Sequence, residues 1–437
     1  MPLQIAIVGS GPAGCFIAEL LSRKIEDCRI DMIERLPSLF GLVRAGVAPD
    51  HQGTKNVIRQ FEKTLEKDNI RVLANLNVGT DISYDELKSC YDLVVIATGA
   101  SDDRKLGIPG ENDQGIYGSS HFVGWYNGHP ESHRRPPELK GPAVAIIGHG
   151  NVALDIARLI AKTSDERAET DICAAAMAQL DNSVITDIYL IGRGSPEQSK
   201  FTPPELAELK ALSAAIPVIS NTAIPETPSS DLDPREARAK QMNLDLFREF
   251  AENASNPVLT NGKTCIHLLF NHSPTAIESE NGRITSLHLK QQSDQRIDEI
   301  TLPVNTLISA IGYRSREISS VPFDTKQGRI QHENGLIEPT VYATGWCRRG
   351  PTGVIPTNRA DALEISKRIL ADYEAGTITT GKGGQEVMDK LIADKNLKVI
   401  DYQDWKNIDQ AEKDRAQGKK PREKFLSEAE MLQQVFT

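Results

Sequence analysis

Two glycine-rich turns, each between an apolar strand-like run and a helix-like run, constrain this chain more than any other feature. The first occupies residues 9–14 (GSGPAG) and follows the apolar run at residues 4–8. The second occupies residues 148–153 (GHGNVA) and follows the apolar run at residues 143–147. In a βαβ unit, a turn of this kind binds the pyrophosphate of a dinucleotide. The pair predicts one polypeptide that holds two dinucleotides and passes electrons between them.

The three glycines of the first turn have separate predicted tasks. Gly9 allows a tight turn, Gly11 lets the pyrophosphate approach the backbone, and Gly14 lets the helix pack closely on the strand. The helix N-terminus supplies N–H groups and a positive dipole end for the phosphates. Glu34 ends the next strand, twenty residues after Gly14. An acidic side chain at that spacing is predicted to bind the ribose hydroxyls.

The rest of the pattern predicts an α/β protein whose strands are covered on both faces. A helix is expected at residues 12–24 and another at 151–161, and the chain is expected to cross into a second domain near residues 108–110. Residues 218–255 read as a polar excursion with one helix, and residues 264–300 as a hairpin with an Asn-Gly turn. Further strands are predicted at residues 29–34, 91–100, 187–192 and 305–312.

Composition and charge exclude several classes of protein. Of the 437 residues, 39% are hydrophobic and 25% charged, which is ordinary for a globular enzyme. No apolar run approaches the ~20 residues needed to span a bilayer. The first predicted strand begins within the first few residues, so we expect no signal peptide. We therefore expect a cytoplasmic protein without membrane insertion. The net charge of −10 disfavours nucleic acid as a partner.

The six cysteines are scattered and contain no C-x-x-C pair. This spacing argues against a disulfide oxidoreductase, against zinc and against an intrinsic iron–sulfur cluster. We therefore predict no metal on this chain and no internal disulfide relay. An electron acceptor must come from outside.

Four longer motifs carry a specific resemblance, at residues 40–51 (FGLVRAGVAPDH), 122–128 (FVGWYNG), 150–155 (GNVALD) and 345–355 (GWCRRGPTGVI). Together they resemble the adrenodoxin reductase family, and within it the bacterial ferredoxin–NADP reductases. The resemblance implies a glutathione-reductase-like fold of two Rossmann-like, three-layer domains, with the NADP domain inserted into the FAD domain. The expected boundaries are 1–104 and 328–376 for the FAD domain, 105–327 for the NAD(P)H domain, and 377–437 for a C-terminal surface extension.

Carried over position by position, the resemblance also implies site residues. The expected FAD contacts, besides the glycine turn, are Ala13, Glu34, Leu42, Val78, Trp346, Gly353, Val354 and Ile355. The expected nicotinamide-dinucleotide contacts are His149, Gly150, Asn151, Val152, Arg193, Glu205 and Gly353. His51 and Glu205 match family residues near the flavin and nicotinamide rings and are the candidate catalytic residues. A helix that begins after Gly353 would direct its positive end at a reduced flavin.

The resemblance implies an NADPH–ferredoxin or adrenodoxin-type oxidoreductase. In this interpretation NADPH reduces FAD, and single electrons then pass to a small iron–sulfur protein. Two alternatives remain open: a flavin reductase or oxidase that uses quinones or other small acceptors, and a nucleotide-sensing protein without turnover. An acidic partner is expected to dock on basic residues, for which Arg348 and Arg349, and then Arg134 and Arg135, are the candidates.

The chain departs from the family at two positions of the second domain. The family usually has two adjacent arginines for the 2′-phosphate of NADP, whereas this chain has Arg193 followed by Gly194. One guanidinium still binds a phosphate and Lys200 adds charge, so NADPH is favoured while NADH stays open. His149 stands where the family typically has glutamine, which suggests pH-sensitive binding as a hypothesis.

Overall fold

The computed structural model describes residues 1–220, 222–292 and 297–436, and the chain forms two compact units. Unit one is discontinuous, and unit two interrupts it along the chain. Unit one comprises Met1–Asp102, Asn127–Pro130 and Tyr313–Thr437. Unit two comprises Asp103–Tyr126 and Glu131–Gly312. Within the described residues, no helix combines the length and the apolar character needed to cross a bilayer.

The N-terminal part of unit one alternates strands and helices. Its elements are β1 (Leu3–Val8), α1 (Pro12–Lys24), β2 (Cys28–Glu34), α2 (Leu42–Ala45), α3 (Gln52–Lys55), α4 (Ile58–Leu65), β3 (Ile70–Ala74), α5 (Tyr84–Cys90) and β4 (Leu93–Ile96). Side chains of β1 alternate between two cores: Ile5 and Ile7 pack on one face of the sheet and Ala6 on the other. The sheet is therefore covered on both faces, as its apolar strands predict.

Unit two carries the second set of alternating elements. After β5 (Asp102–Asp103) the chain forms β6 (Ile116–Gly118), α6 (Ser119–Tyr126), α7 (Pro130–His133), β7 (Ala143–Ile147), α8 (Asn151–Ala161), α9 (Ser164–Arg167), α10 (Ala174–Asp181), β8 (Asp187–Ile191), α11 (Pro203–Ala207), a 3₁₀ turn (Glu208–Ala211), β9 (Ala215–Val218), α12 (Pro234–Ala254), α13 (Pro257–Thr260), β10 (Thr264–Leu269), β11 (His272–Glu280), β12 (Arg283–Gln292), β13 (Ile297–Pro303) and β14 (Thr306–Ser309).

The remaining elements belong to the C-terminal part of unit one. They are β15 (Tyr313–Arg314), β16 (Phe323–Asp324), β17 (Arg329–Ile330), β18 (Leu336–Glu338), β19 (Val341–Ala343), α14 (Trp346–Arg349), α15 (Ile355–Glu374), α16 (Gln385–Asp394), α17 (Tyr402–Asp414) and α18 (Glu428–Gln433).

Each unit is built on a six-stranded sheet whose strand order reverses beside a glycine turn. In unit one the order is β18-β19-β4-β1-β2-β3, and β1 pairs in parallel with both β2 and β4. In unit two the order is β6-β14-β7-β8-β10-β9, and β7 pairs in parallel with both β8 and β14. Ligands of such sheets bind at the carboxyl ends of the strands where the order reverses. Gly9 and Gly148 follow β1 and β7 at these points.

The hairpin expected at residues 264–300 needs a correction. Residues of β10 pair in parallel with β8 and β9 and so belong to the large sheet. The hairpin is formed by β11 and β12, and β13 adds a third antiparallel strand. Its turn residues Asn281 and Gly282 have φ of 51° and 76°, as a tight primed turn requires. Residues 293–296 of the predicted range lie outside the described residues.

The unit boundaries differ from the predicted domain boundaries toward the C-terminus. The chain returns to unit one at Tyr313 rather than after residue 327, since Val321 and Ile330 pack in a core of that unit. The predicted surface extension 377–437 is also part of unit one. Trp405 is 2% exposed and Met431 fully buried in the core. The helices of residues 377–437 cover the sheet of unit one with their apolar faces. The polar overall composition of this segment gives no indication of those faces.

Candidate functional site

The first glycine turn leaves one open position between two tightly packed ones. An ideal Cβ on Gly9, which has φ of +109°, would lie 2.5 Å from the carbonyl oxygen of Ala97. A Cβ on Gly14 would lie 1.9 Å from the carbonyl oxygen of Gly9. A Cβ on Gly11 would meet no atom within 4 Å. The protein itself therefore requires the first and third glycines, whereas the second borders open space that fits a pyrophosphate.

Glu34 is anchored beside this turn. Its Oε2 accepts hydrogen bonds from the Ser10 backbone N–H at 3.0 Å and from the Ser10 hydroxyl at 2.7 Å. Its Oε1 accepts a third from the Leu36 N–H at 3.2 Å. Only 9% of the residue is exposed. These bonds fix the Glu34 carboxylate at the end of β2. In this position it is suited to accept a hydrogen bond from a ribose hydroxyl.

The segment around α2 closes against the same turn. A Cβ on Gly41, which has φ of +47°, would lie 3.2 Å from the Gly11 Cα. Leu42 begins α2 and is partly exposed. Val78 is 7% exposed and forms a bridge with Ile82. Both predicted FAD contacts thus lie in unit one.

A distant segment of unit one also reaches the first turn. A Cβ on Gly345, which has φ of +76°, would lie 2.5 Å from the Ala13 Cβ at the start of α1. Trp346 follows directly, and its indole N–H donates to the Thr352 carbonyl at 3.1 Å. Gly353 has φ of +79°, and 60% of Val354 is exposed just before α15 begins at Ile355. The 20-residue helix α15 thus starts with an open, positive end.

Arg348 and Arg349 are mostly enclosed. Their side chains are 13% and 17% exposed, and both guanidinium groups approach Asp361, at 3.4 and 3.8 Å. Arg348 also donates to Glu364 at 2.7 Å, and Arg349 to Asn358 at 2.9 Å. Burial lowers the pKa of the Arg349 guanidinium. Since Asp361 also accepts the Gly345 N–H, the arginines brace this loop.

The second glycine turn repeats the pattern in unit two. Gly148 has φ of +141°, and a Cβ there would lie 2.4 Å from the Ala310 carbonyl oxygen. A Cβ on Gly150 would meet no atom within 4 Å. Asn151 and Val152 form the first turn of α8, directly after the open position. This turn therefore also fits a pyrophosphate.

The His149 ring packs against two phenylalanine rings of unit two. This ring lies 4.7 Å from that of Phe270 and 5.3 Å from that of Phe201, and its Nε2 lies 3.1 Å from the Leu190 carbonyl oxygen. Burial lowers the His149 pKa to about 4. The ring is therefore neutral at physiological pH, which argues against the pH-sensitive binding suggested by the sequence.

A buried arginine that the sequence analysis missed holds Glu205. Arg158 is 1% exposed, and its guanidinium lies 2.9 Å from Asp155, 2.8 Å from Glu208 and 3.5 Å from Glu205. Asn151 bonds Thr202, the residue before the helix that carries Glu205. In the sequence, the only indication of this ion pair is the i,i+3 spacing of Asp155 and Arg158.

The remaining predicted site residues are divided between the two units. Arg193 follows β8 and is exposed, as is Lys200, whose backbone N–H donates to the His149 carbonyl at 2.7 Å. A Cβ on Gly194 would lie 3.0 Å from Gln198, so a second arginine requires that glutamine to move. His51 precedes α3 in unit one and is partly exposed, whereas Glu205 belongs to unit two.

Two glycine turns at the reversal points of two mostly parallel sheets define a protein that binds two dinucleotides. This is the architecture of a two-cofactor oxidoreductase. All six cysteines are free, and all except Cys265 are buried. Burial raises the pKa of Cys15 and Cys347.

Comparison with known proteins identifies the family. The sequence pattern of the pyridine nucleotide-disulphide oxidoreductases matches residues 3–190. The mitochondrial NADPH:adrenodoxin oxidoreductase of Homo sapiens is 36% identical over 98% of this chain and 91% of its own length. NADPH-ferredoxin reductase FprA of Mycobacterium leprae is 34% identical over 98% and 97%. The structure of Mycobacterium tuberculosis FprA in complex with NADPH has a TM-score of 0.90 and 33% identity, covering 99% of both chains.

The chain belongs to the family of NADPH:adrenodoxin oxidoreductases and NADPH-ferredoxin reductases. This confirms the family and the α/β fold of two dinucleotide-binding domains that the sequence predicted.

Proposed function

We propose that the chain binds FAD at the first glycine turn and NADP(H) at the second, and that it transfers electrons from NADPH to a ferredoxin- or adrenodoxin-type iron–sulfur protein. The main support for this proposal is that Gly11 and Gly150 both border open space, whereas the neighbouring glycines of each turn pack against backbone atoms. FAD, when bound, accepts a hydride and releases electrons singly. A cytoplasmic location, predicted from the sequence, is part of this proposal.

Residues of unit one provide the proposed FAD site. Gly11 and the first N–H groups of α1 would receive the pyrophosphate, and Glu34 would accept hydrogen bonds from a ribose. Trp346, Val354 and the start of α15 would lie against the flavin, where the helix dipole favours negative charge.

Residues of unit two provide the proposed NADP(H) site. Gly150, Asn151 and Val152 would receive the pyrophosphate, and Arg193 the 2′-phosphate. The neutral His149 ring would support the glycine turn through its packing on Phe201 and Phe270. The placement of His51 and Glu205 beside the reacting rings stays a prediction. Hydride transfer needs no acid or base at the reacting carbon. We therefore propose that His51 and Glu205 orient the rings and contribute electrostatic stabilisation.

Anaerobic titration of the yellow protein tests the function. We expect NADPH to bleach the flavin absorbance and the reduced protein to reduce a ferredoxin. Because FAD links a two-electron donor to a one-electron acceptor, both steps are required. A flavin that stays oxidised in NADPH would support a nucleotide-binding protein without turnover instead. Turnover with quinones but not with ferredoxin would support a small-acceptor reductase.

Replacement of Arg193 by serine tests the preference for NADPH. A charge-assisted hydrogen bond contributes about 1.5–3 kcal/mol, so we expect the Michaelis constant for NADPH to rise by about tenfold or more. The constant for NADH, which lacks the 2′-phosphate, should change less than twofold. Arg23→Ser is the matched control, since that side chain is 64% exposed in unit one. Equal losses with both nucleotides would contradict the assignment of Arg193.

The proposed docking site for the iron–sulfur protein is at Arg348 and Arg349. Reversal of these charges would set carboxylates against Asp361, so neutralisation to glutamine is the cleaner change. We expect a higher Michaelis constant for ferredoxin with a weaker dependence on salt. The same change at Arg134 and Arg135, which are exposed in unit two, is the comparison. An effect confined to Arg134 and Arg135 would move the docking site there.

A further inference from the structure

The C-terminal helix α17 presents a fully buried carboxylate to the segment that precedes and includes α2. Both oxygens of Glu412, which is 0% exposed, accept hydrogen bonds from Arg44, Nη1 to Oε2 at 2.8 Å and Nη2 to Oε1 at 2.5 Å. Arg44 is itself 7% exposed. The Phe425 N–H donates to Oε1 at 3.0 Å. This is a two-pronged, geometrically specific bond between residues 368 positions apart.

Other side chains of the C-terminal part reinforce this contact. The Arg44 guanidinium lies 5.1 Å from the ring centre of Trp405, and the Phe40 ring meets the same tryptophan edge-on at 6.1 Å. Lys424, which is 1% exposed, donates to the Arg44 carbonyl at 3.2 Å. Residues 40–45 are therefore held by charges and by rings at the same time.

The held segment touches the first glycine turn. Phe40 has φ of +73°, a conformation that costs a bulky residue free energy and persists only when its surroundings enforce it. Its N–H donates to the Ser10 hydroxyl at 3.2 Å, and that hydroxyl donates to Glu34. A Cβ on the next residue, Gly41, would lie 3.2 Å from Gly11. A continuous path of contacts thus runs from Glu412 to the proposed FAD turn.

We propose that Glu412 is a positioning residue for FAD, and that the C-terminal part of the chain acts as a clamp on residues 40–45. Through Arg44 it holds the strained Phe40–Gly41 backbone against the glycine turn, so that the pocket exists before the cofactor enters. Loss of the clamp relaxes this wall and weakens FAD binding. The inference rests on the proposed FAD site and assigns the C-terminal residues a cofactor-retaining task.

The test uses the full chain, freed of FAD and titrated with FAD while flavin fluorescence is followed. We expect Glu412→Gln, which keeps the shape but removes the charge that Arg44 requires, to raise the dissociation constant at least tenfold. Asp414→Asn removes an exposed carboxylate from the same helix and should leave the constant unchanged. A wild-type apoprotein that binds no FAD would overturn the proposed function, whereas equal binding by wild type and Glu412→Gln overturns only the clamp.

A double variant separates positioning from simple stability. Arg44→Met combined with Glu412→Gln removes both charges of the buried pair, while the glutamine Oε1 still accepts the Phe425 N–H. We expect its unfolding midpoint without FAD to match wild type while FAD affinity stays reduced. A double variant with both a wild-type unfolding midpoint and a wild-type FAD affinity would overturn the positioning role. If Glu412→Gln does not fold, Trp405→Phe is the milder variant: an affinity loss supports the clamp, and unchanged affinity opposes it.

Discussion

Replacement of Gly11 by valine is expected to weaken FAD binding strongly while the chain still folds. The backbone at Gly11 has φ of −70° and ψ of −178°, which any residue adopts. Its Cβ would contact no protein atom within 4 Å. The new Cβ would enter the space proposed for the pyrophosphate. Forced overpacking costs about 1–3 kcal/mol or more, so affinity should fall by about 10- to 100-fold at least.

The measurement is FAD content after purification together with the far-ultraviolet circular dichroism of the same sample. Gly14→Ala is the informative comparison, because its Cβ would lie 1.9 Å from the Gly9 carbonyl oxygen. That variant should lose folded structure in unit one as well as FAD. A Gly11→Val protein that binds FAD as tightly as the wild type would refute the assignment of the first turn.

Replacement of Gly150 by valine should produce the complementary defect. Gly150 has φ of −126° and ψ of 172°, again accessible to any residue, and its Cβ position is open. The variant should retain its full FAD content and its reduction by dithionite. Its reduction by NADPH should slow by about 10- to 100-fold at least, for the same overpacking reason.

Stopped-flow absorbance at the flavin band checks the second result. Gly148→Val is the comparison, since φ of +141° and a Cβ 2.4 Å from the Ala310 carbonyl predict a damaged unit two. Loss of FAD from Gly150→Val, or reduction by NADPH at the wild-type rate, would show that the two turns do not divide the nucleotides as proposed.

Local features of the sequence predicted the framework of both sites. Helices α1 and α8 begin and end where the glycine turns and apolar periodicity indicated, since each depends on residues close along the chain. The Glu412–Arg44 bond could not be predicted, because no local pattern connects residues so far apart. Arg158 was missed for a related reason: its spacing to Asp155 is typical of an exposed helix surface, and only packing shows that it is buried.

The interruption of unit one has a consequence for biosynthesis. β19 pairs with β4, and Trp405, Phe425 and Met431 complete the core beneath β1. A ribosome therefore releases all of unit two before it releases the strand and helices that finish unit one. Until then the nascent chain exposes the open edge of β4, a state prone to wrong pairing. The proposed flavin pocket is thus completed only after unit two has been made, although its glycine turn precedes unit two along the chain.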